Sequence, residues 1–305
     1  MRSRLMTAIA LGALTCVLAT NGGRAAPSQA LAKVTTLPLQ PFGTQPAVEV
    51  TVNGRGPYLF LVDTGASGVA RIDYSVVEAL KLPIVGQETA SGATKGGDAP
   101  IRRVAVRVLG VGDRRYRDLQ PLSRSYNTSG EYLPDIGGIL ALNLFADELL
   151  TIDLPKRQMR ITTGELPAAN GRTILAYEER GGVMHVPIRI GKVSTTALVD
   201  TGTDRSIDLP ASVIRQIALQ DFPHPVGQSE GVTGKIGIAE VTVDGDLQLG
   251  AHTFHNPSVT FSEAFEYPIL GSVFFHDFAI TIDQKNKRIQ FVRGRVSRRP
   301  LLAGR

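Results

Sequence analysis

The sequence has no tryptophan and a single cysteine, Cys16. That cysteine falls in an N-terminal stretch that reads as a removable leader. No disulfide then staples the remainder, and its stability must come from core burial. Histidine is scarce. His252 and His255 are three apart, but no cysteine, histidine or acid joins them in a metal-binding spacing. His185, His224 and His276 are isolated, so all five read as structural, and no metal or organic cofactor is expected. No phosphate loop and no Gly-x-Ser-x-Gly nucleophile elbow are read from the chain. Charged residues make up only 20% against 43% hydrophobic, which excludes a disordered chain and implies a folded core.

The longest apolar stretch, Leu5 to Ala19, follows Arg2 and Arg4 and precedes small residues around Ala25-Ala26. That layout is a secretory signal peptide, assigned to residues 1–26. It is short for a membrane span of roughly 20 residues, which leaves an uncleaved anchor as the lesser alternative. Export to the periplasm or the medium is expected. Thr15 before Cys16 disfavours a lipid anchor. Residues 1–26 hold three arginines (Arg2, Arg4, Arg24) and no acid, so losing them lowers the net charge from +5 to +2. No nucleic-acid partner is supported by that balance.

What the chain does contain is a pair. Phe60-Leu61-Val62-Asp63-Thr64-Gly65-Ala66-Ser67 and Ala197-Leu198-Val199-Asp200-Thr201-Gly202-Thr203 are apolar runs that end on Asp-Thr-Gly. Each reads as a buried strand entering a sharp turn, with the carboxylate delivered at the strand end. A lone triplet of this kind is an ordinary turn-forming aspartate. Here the surroundings repeat too. Ala47 to Val52 and Val186 to Ile190 are strand-like, and Asn53-Gly54 marks a hairpin. Ser75 to Leu80 reads as a short helix, and Arg102 to Leu109 as one alternating strand with Val104, Val106 and Val108 on one face. The segments Asp135–Phe145 and Tyr267–Phe275 read as matching turns into helix-like apolar runs. The aspartates are 137 apart (200 − 63), and the Thr-Ile-Asp triplets of the closing hairpins are 130 apart (283 − 153). A duplicated, all-β unit follows, joined near Gly164 to Arg172. The halves are set at 34–163 and 172–293, with a basic tail at 294–305.

On these residues the chain resembles aspartic proteases of the pepsin and retropepsin superfamily. More narrowly, it is similar to secreted bacterial proteins with two retropepsin-like halves, over Val34 to Val292. The resemblance implies two β-barrel lobes and a cleft in which Asp63 and Asp200 meet across a pseudo-twofold axis. It assigns Thr64 and Thr201 to hydrogen bonds across that axis. It assigns Gly65 and Gly202 to close packing, each offering its N–H to a carboxylate. Ile139-Leu140-Ala141 and Ile269-Leu270-Gly271 match the family's apolar-apolar-Gly signature, with Ala141 departing from glycine. The glycine-rich stretches holding Gly92, Gly96 and Gly97, and Gly231 and Gly234, occupy the place of substrate-covering flaps. Ordinary loops are the rival reading of both.

Two carboxylates held together cannot both ionise cheaply, so the pair keeps one acid and one base. Aspartic proteases are the established case of this behaviour, and the chain is read by analogy with them. The expected activity is endopeptidase cleavage of a peptide or protein by a monomer carrying both aspartates. A non-catalytic peptide-binding module on the same fold is the alternative. One asymmetry is notable. Thr203 follows Gly202 where Ala66 follows Gly65, so a Thr203 hydroxyl bond to Asp200 is expected to place more of the negative charge on Asp200.

Overall fold

A computed structural model describes residues 33–90, 99–127, 135–231 and 234–294. The leader, Gly92, Gly96, Gly97 and the tail beyond Gly294 lie outside the described residues.

The strand Gln45–Val52 turns at Asn53-Gly54 into Arg55–Asp63. Both turn residues have positive φ, 51° and 78°, the geometry whose twist suits a tight hairpin. Asp63 is thereby the last residue of a strand whose preceding three side chains, Phe60, Leu61 and Val62, are buried. The chain returns as Ala70–Asp73, and a helix follows at Tyr74–Leu80, capped by the Asp73 carboxylate on the Ser75 N–H at 2.8 Å.

The duplication is complete at the level of strands. In the first half, the strand Gly138–Ala141 lies between Arg55–Asp63, its parallel partner, and Ala70–Asp73, its antiparallel one. In the second, Ile269–Gly271 lies in the same way between Val193–Asp200 and Ile207–Pro210. Each half is a curled ten-stranded sheet with the same order of strands. The fold is all-β, as the sequence pattern implies, with two barrel-like lobes, as the resemblance implies. The closing hairpins do not stay with their own lobes. Leu149–Asp153 pairs with Phe278–Asp283, at the middle of a six-stranded sheet that both halves share. There Thr151 faces Thr281, their hydroxyls 2.9 Å apart, so the pseudo-twofold axis passes between them.

Two local expectations need correction. Arg102 to Leu109 is not one strand. It breaks at Ala105 into Ala99–Val104 and Val106–Val111. The Val104 N–H donates to Pro121 O and the Ala105 N–H to Pro83 O, and the chain then changes partners. Val108 is only half-buried, unlike Val104 and Val106. The segments read as helix-like each begin with a short strand before they coil. Gly138–Ala141 and Ile269–Gly271 are fully buried strands; Leu142–Phe145 then coils as a 3-10 turn, and residues 272–277 as a run of turns in which the Phe275 N–H donates to Gly271 O at 3.2 Å. A short apolar run buried on both faces has no period by which to tell strand from helix.

Candidate active site

Because the two aspartate-bearing strands are equivalent, their turns meet head to head. Thr64 and Thr201, 1% and 0% exposed, bridge the halves. The Thr64 hydroxyl donates to Val199 O at 2.6 Å, and the Thr201 hydroxyl to Val62 O at 2.5 Å. Each threonine N–H in turn donates to the other hydroxyl, at 3.2 and 3.1 Å. Gly65 and Gly202 give their N–H groups to Asp63 and Asp200 at 2.8 and 2.9 Å. Each glycine also lies against the opposite aspartate. A β-carbon on Gly65 would stand 2.4 Å from Asp200 Cγ, and one on Gly202 2.2 Å from Asp63 Cγ. Any side chain there would drive the two carboxyls apart. Gln45 adds a further tie across the axis, its side-chain amide donating to Gly202 O.

Asp63 and Asp200 are partly open to solvent, as an attacking water requires. Their carboxyls are within hydrogen-bonding reach of each other. Burial raises the pKa of both. For Asp63 the rise is opposed by the nearby Arg71 guanidinium, by the bond from Asp200, and by the Gly65 and Ala66 N–H groups. For Asp200 the neighbouring Asp63 charge adds to burial, and only Gly202 N–H and a more weakly felt Arg205 oppose it. The pair shares its protons, and the nearby cation and the larger number of donors stand on the Asp63 side.

The donor from which the asymmetry was expected is not in place. Among the described residues the Thr203 hydroxyl makes no hydrogen bond to Asp200. Thr203 is held instead through its carbonyl, which accepts from the Ser272 N–H and hydroxyl at 3.0 and 2.7 Å. The donors that matter are backbone N–H groups and an arginine eight residues past Asp63. Side-chain comparison of the two triplets contains neither.

Ala141 has its own account. At the equivalent place, a β-carbon on Gly271 would stand 2.7 Å from Thr203 Cγ2 and 2.2 Å from Arg205 O. In the first half the mate of Thr203 is Ala66, which lacks that methyl, and the mate of Arg205 is Gly68, at φ 83°. Ala66 and Ala141 share one buried cluster with Leu61 and Ile139. The missing methyl at 66 makes room for the extra one at 141.

Residues 48–135 match the family model described as aspartyl protease. With the all-β fold, the match is consistent with a retropepsin-like superfamily member. It spans the first triplet. The second retropepsin-like half is tied to it by the strand-for-strand correspondence above. No curated protein matches the chain.

The second candidate flap falls on a hairpin at a sheet edge, and the described strands on either side of the first pair at the corresponding edge. Ile84–Ala90 pairs with Ala99–Val104, and His224–Gly231 with Gly234–Thr242, where Gly231 faces Gly234 at the tip. The pattern Gly-x-Ser-x-Gly does occur once, at Gly227–Gly231, contrary to the reading above. It lies within a hairpin strand, not at the strand-to-helix turn that exposes a nucleophile. Of the histidines, His255 pairs with Asp246 at 2.8 Å, and His252 contacts Phe291 O at 3.3 Å. His185 is buried edge-on to Tyr267, both ring nitrogens unpartnered, and burial pushes its pKa down. A cavity of about 790 Å³ on the second half is lined by Phe254, Phe274 and Arg293 among others, and by neither aspartate. It lacks the convergent carboxyl pair that hydrolysis calls for.

Proposed function

We propose that the chain is an aspartic endopeptidase with Asp63 and Asp200 as its catalytic pair, and with a peptide or protein as substrate. The aspartyl protease family domain supports a protease-type function. The observation that carries the finer reading is the reciprocal packing of Gly65 on Asp200 and Gly202 on Asp63. It brings two carboxyls together where burial raises the pKa of both.

The chemistry runs on a single proton held by the pair. A water lying between the carboxyls gives a proton to the Asp63 carboxylate as its oxygen bonds the peptide carbonyl carbon. Asp200 offers its proton to the carbonyl oxygen as charge builds there. The C–N bond then breaks, Asp63 returns its proton to the departing nitrogen, and Asp200 recovers its own. The products are a carboxylic acid and an amine. Both carboxyls come from one chain, so one copy suffices, and specific activity should not change on dilution.

The test is cleavage of casein and a peptide library by the mature protein, with and without pepstatin. Asp63→Asn and Asp200→Asn should each abolish turnover while the circular dichroism spectrum stays unchanged. A folded Asp200→Asn variant with near wild-type turnover refutes the assignment.

A further inference from the structure

Arg71 and Asp208 hold the same place in the two halves, 137 residues apart (208 − 71) like the aspartates. Across the first sheet Arg71 lies opposite Ile139, Ile139 opposite Leu61, and Leu61 opposite Ala47. Across the second the row is Asp208, Ile269, Leu198 and His185. Side chains in one row point to one face, and alternate along a strand. Arg71 therefore shares the face of Leu61 and Asp63, the face turned to the other half.

The two positions differ in how their charge is met. Asp208 is 1% exposed and fully engaged. Arg205 Nε reaches its two oxygens at 2.9 and 2.7 Å, Arg205 Nη2 one of them at 2.7 Å, and the Thr260 hydroxyl donates as well. Arg71 forms no salt bridge among the described residues. Leu122 stands beside it where the second half has Thr260. Arg71 Nε is buried without an acceptor, and the Tyr126 hydroxyl is buried without a partner. The guanidinium and the phenol stand close enough for each to feel the other. Tyr126 packs on the cluster of Leu61, Ala66 and Ile139, and the Arg124 guanidinium lies 5.2 Å from its ring centre. Asp73, two residues on from Arg71, is committed to Ser75 and to the Tyr126 N–H.

The Arg71 guanidinium thus stands near Asp63 and against the Tyr126 phenol, with its Nε and the Tyr126 hydroxyl proton lacking an acceptor. Buried donors are costly to leave unpaired. A carboxylate meets both, because a guanidinium takes it side-on and a phenol donates to its free lone pair. We infer that Arg71 and Tyr126 form a carboxylate-accepting subsite next to Asp63, so that the bound peptide presents a carboxylate on the first-half side of the cleft. The second half, with Asp208 already neutralised, has no such demand. That cleavage follows binding rests on the endopeptidase reading; the binding preference does not. An acidic side chain and a free C-terminus present the same group.

The experiment walks one glutamate through a neutral, acetylated and amidated peptide, with an all-glutamine peptide and its free-acid form as companions. Binding is measured by calorimetry on the Asp200→Asn variant, and kcat/KM on the wild type. One glutamate position, or the free acid, should bind about tenfold tighter than the neutral peptide. Which of the two does so identifies the source of the carboxylate. Added as a second change, Arg71→Met should erase the preference, Arg71→Lys should keep part of it, and Tyr126→Phe should reduce it. Equal binding of every peptide to a folded Asp200→Asn variant overturns the inference, as does a preference that survives Arg71→Met. A binding preference without any cleavage by wild type supports the subsite and refutes the endopeptidase reading instead.

Discussion

Thr64 and Thr201 each place a hydroxyl on the backbone of the other half, at Val199 O and Val62 O, and each receives the other's N–H. No water reaches these groups to replace a lost partner. Thr201→Val keeps the shape but strips a donor from Val62 O and an acceptor from the Thr64 N–H. The cost should be about 1–3 kcal/mol for each buried group left unpaired, read by urea unfolding, with activity falling in step. Thr201→Ser should stay close to wild type. Equal stability of the valine and serine variants would contradict this role.

The dyad should also set how stability depends on pH. Both carboxyls have folded-state pKa values raised above their ordinary value, Asp200 the more. A group of this kind contributes its stability fully below the unfolded pKa, and loses it as pH rises through the folded one. The wild type should therefore weaken from about pH 4 upward, each tenfold change in proton affinity counting about 1.4 kcal/mol. Asp200→Asn removes one buried charge and the repulsion it suffers. Its melting temperature should exceed that of wild type at neutral pH and converge with it near pH 3–4, the ordinary carboxylate range. Parallel melting curves across that range would show that the pair is not the cause.

Much of this site was legible in the chain because duplication doubled every signal. Asp63 with Asp200, Thr64 with Thr201, and Gly65 with Gly202 stand at one offset, and strand-end delivery of a carboxylate follows from pattern alone. What was not legible depends on lateral neighbours. Arg71 reaches the site through a row that runs by way of Ile139, 68 residues on (139 − 71), to Leu61. The offset of 137 would have flagged its exchange for Asp208, but only the register shows that the exchange faces the dyad. Thr203 misled because a hydroxyl beside an aspartate suggests a bond that the loop does not make. Gly138–Ala141 misled because a run buried on both faces carries no period.

Arg71 has a measurable effect on chemistry apart from any ligand. Its charge favours the ionised form of Asp63, and the acid limb of kcat/KM reports the first proton lost from the pair. Arg71→Met should move that limb to higher pH. Arg71→Lys should leave it nearer to wild type, since the charge remains. The profile is best taken with a neutral, amidated peptide, so that substrate recognition does not enter. An acid limb that stays fixed in a folded, active Arg71→Met variant would mean that the guanidinium does not act on Asp63.

The exchange of one methyl between the halves gives the sharpest test of the packing. Thr203 with Gly271 and Ala66 with Ala141 are two ways to fill the same space. Adding Thr203's methyl at the first site by Ala66→Thr should crowd Ala141, at a cost of about 1–3 kcal/mol for overpacking a buried cluster. Ala141→Gly should open that space. The double variant, Ala66→Thr with Ala141→Gly, should recover most of the stability and activity that Ala66→Thr loses, a coupling that a thermodynamic cycle measures directly. The reverse exchange should fail. In Gly271→Ala the new β-carbon meets the Arg205 carbonyl at 2.2 Å as well as the threonine methyl, and Thr203→Ala relieves only the second contact. The first half escapes this because Gly68, with φ at 83°, takes the place of Arg205. Strictly additive effects of Ala66→Thr and Ala141→Gly in urea unfolding would show that these two positions do not share the space.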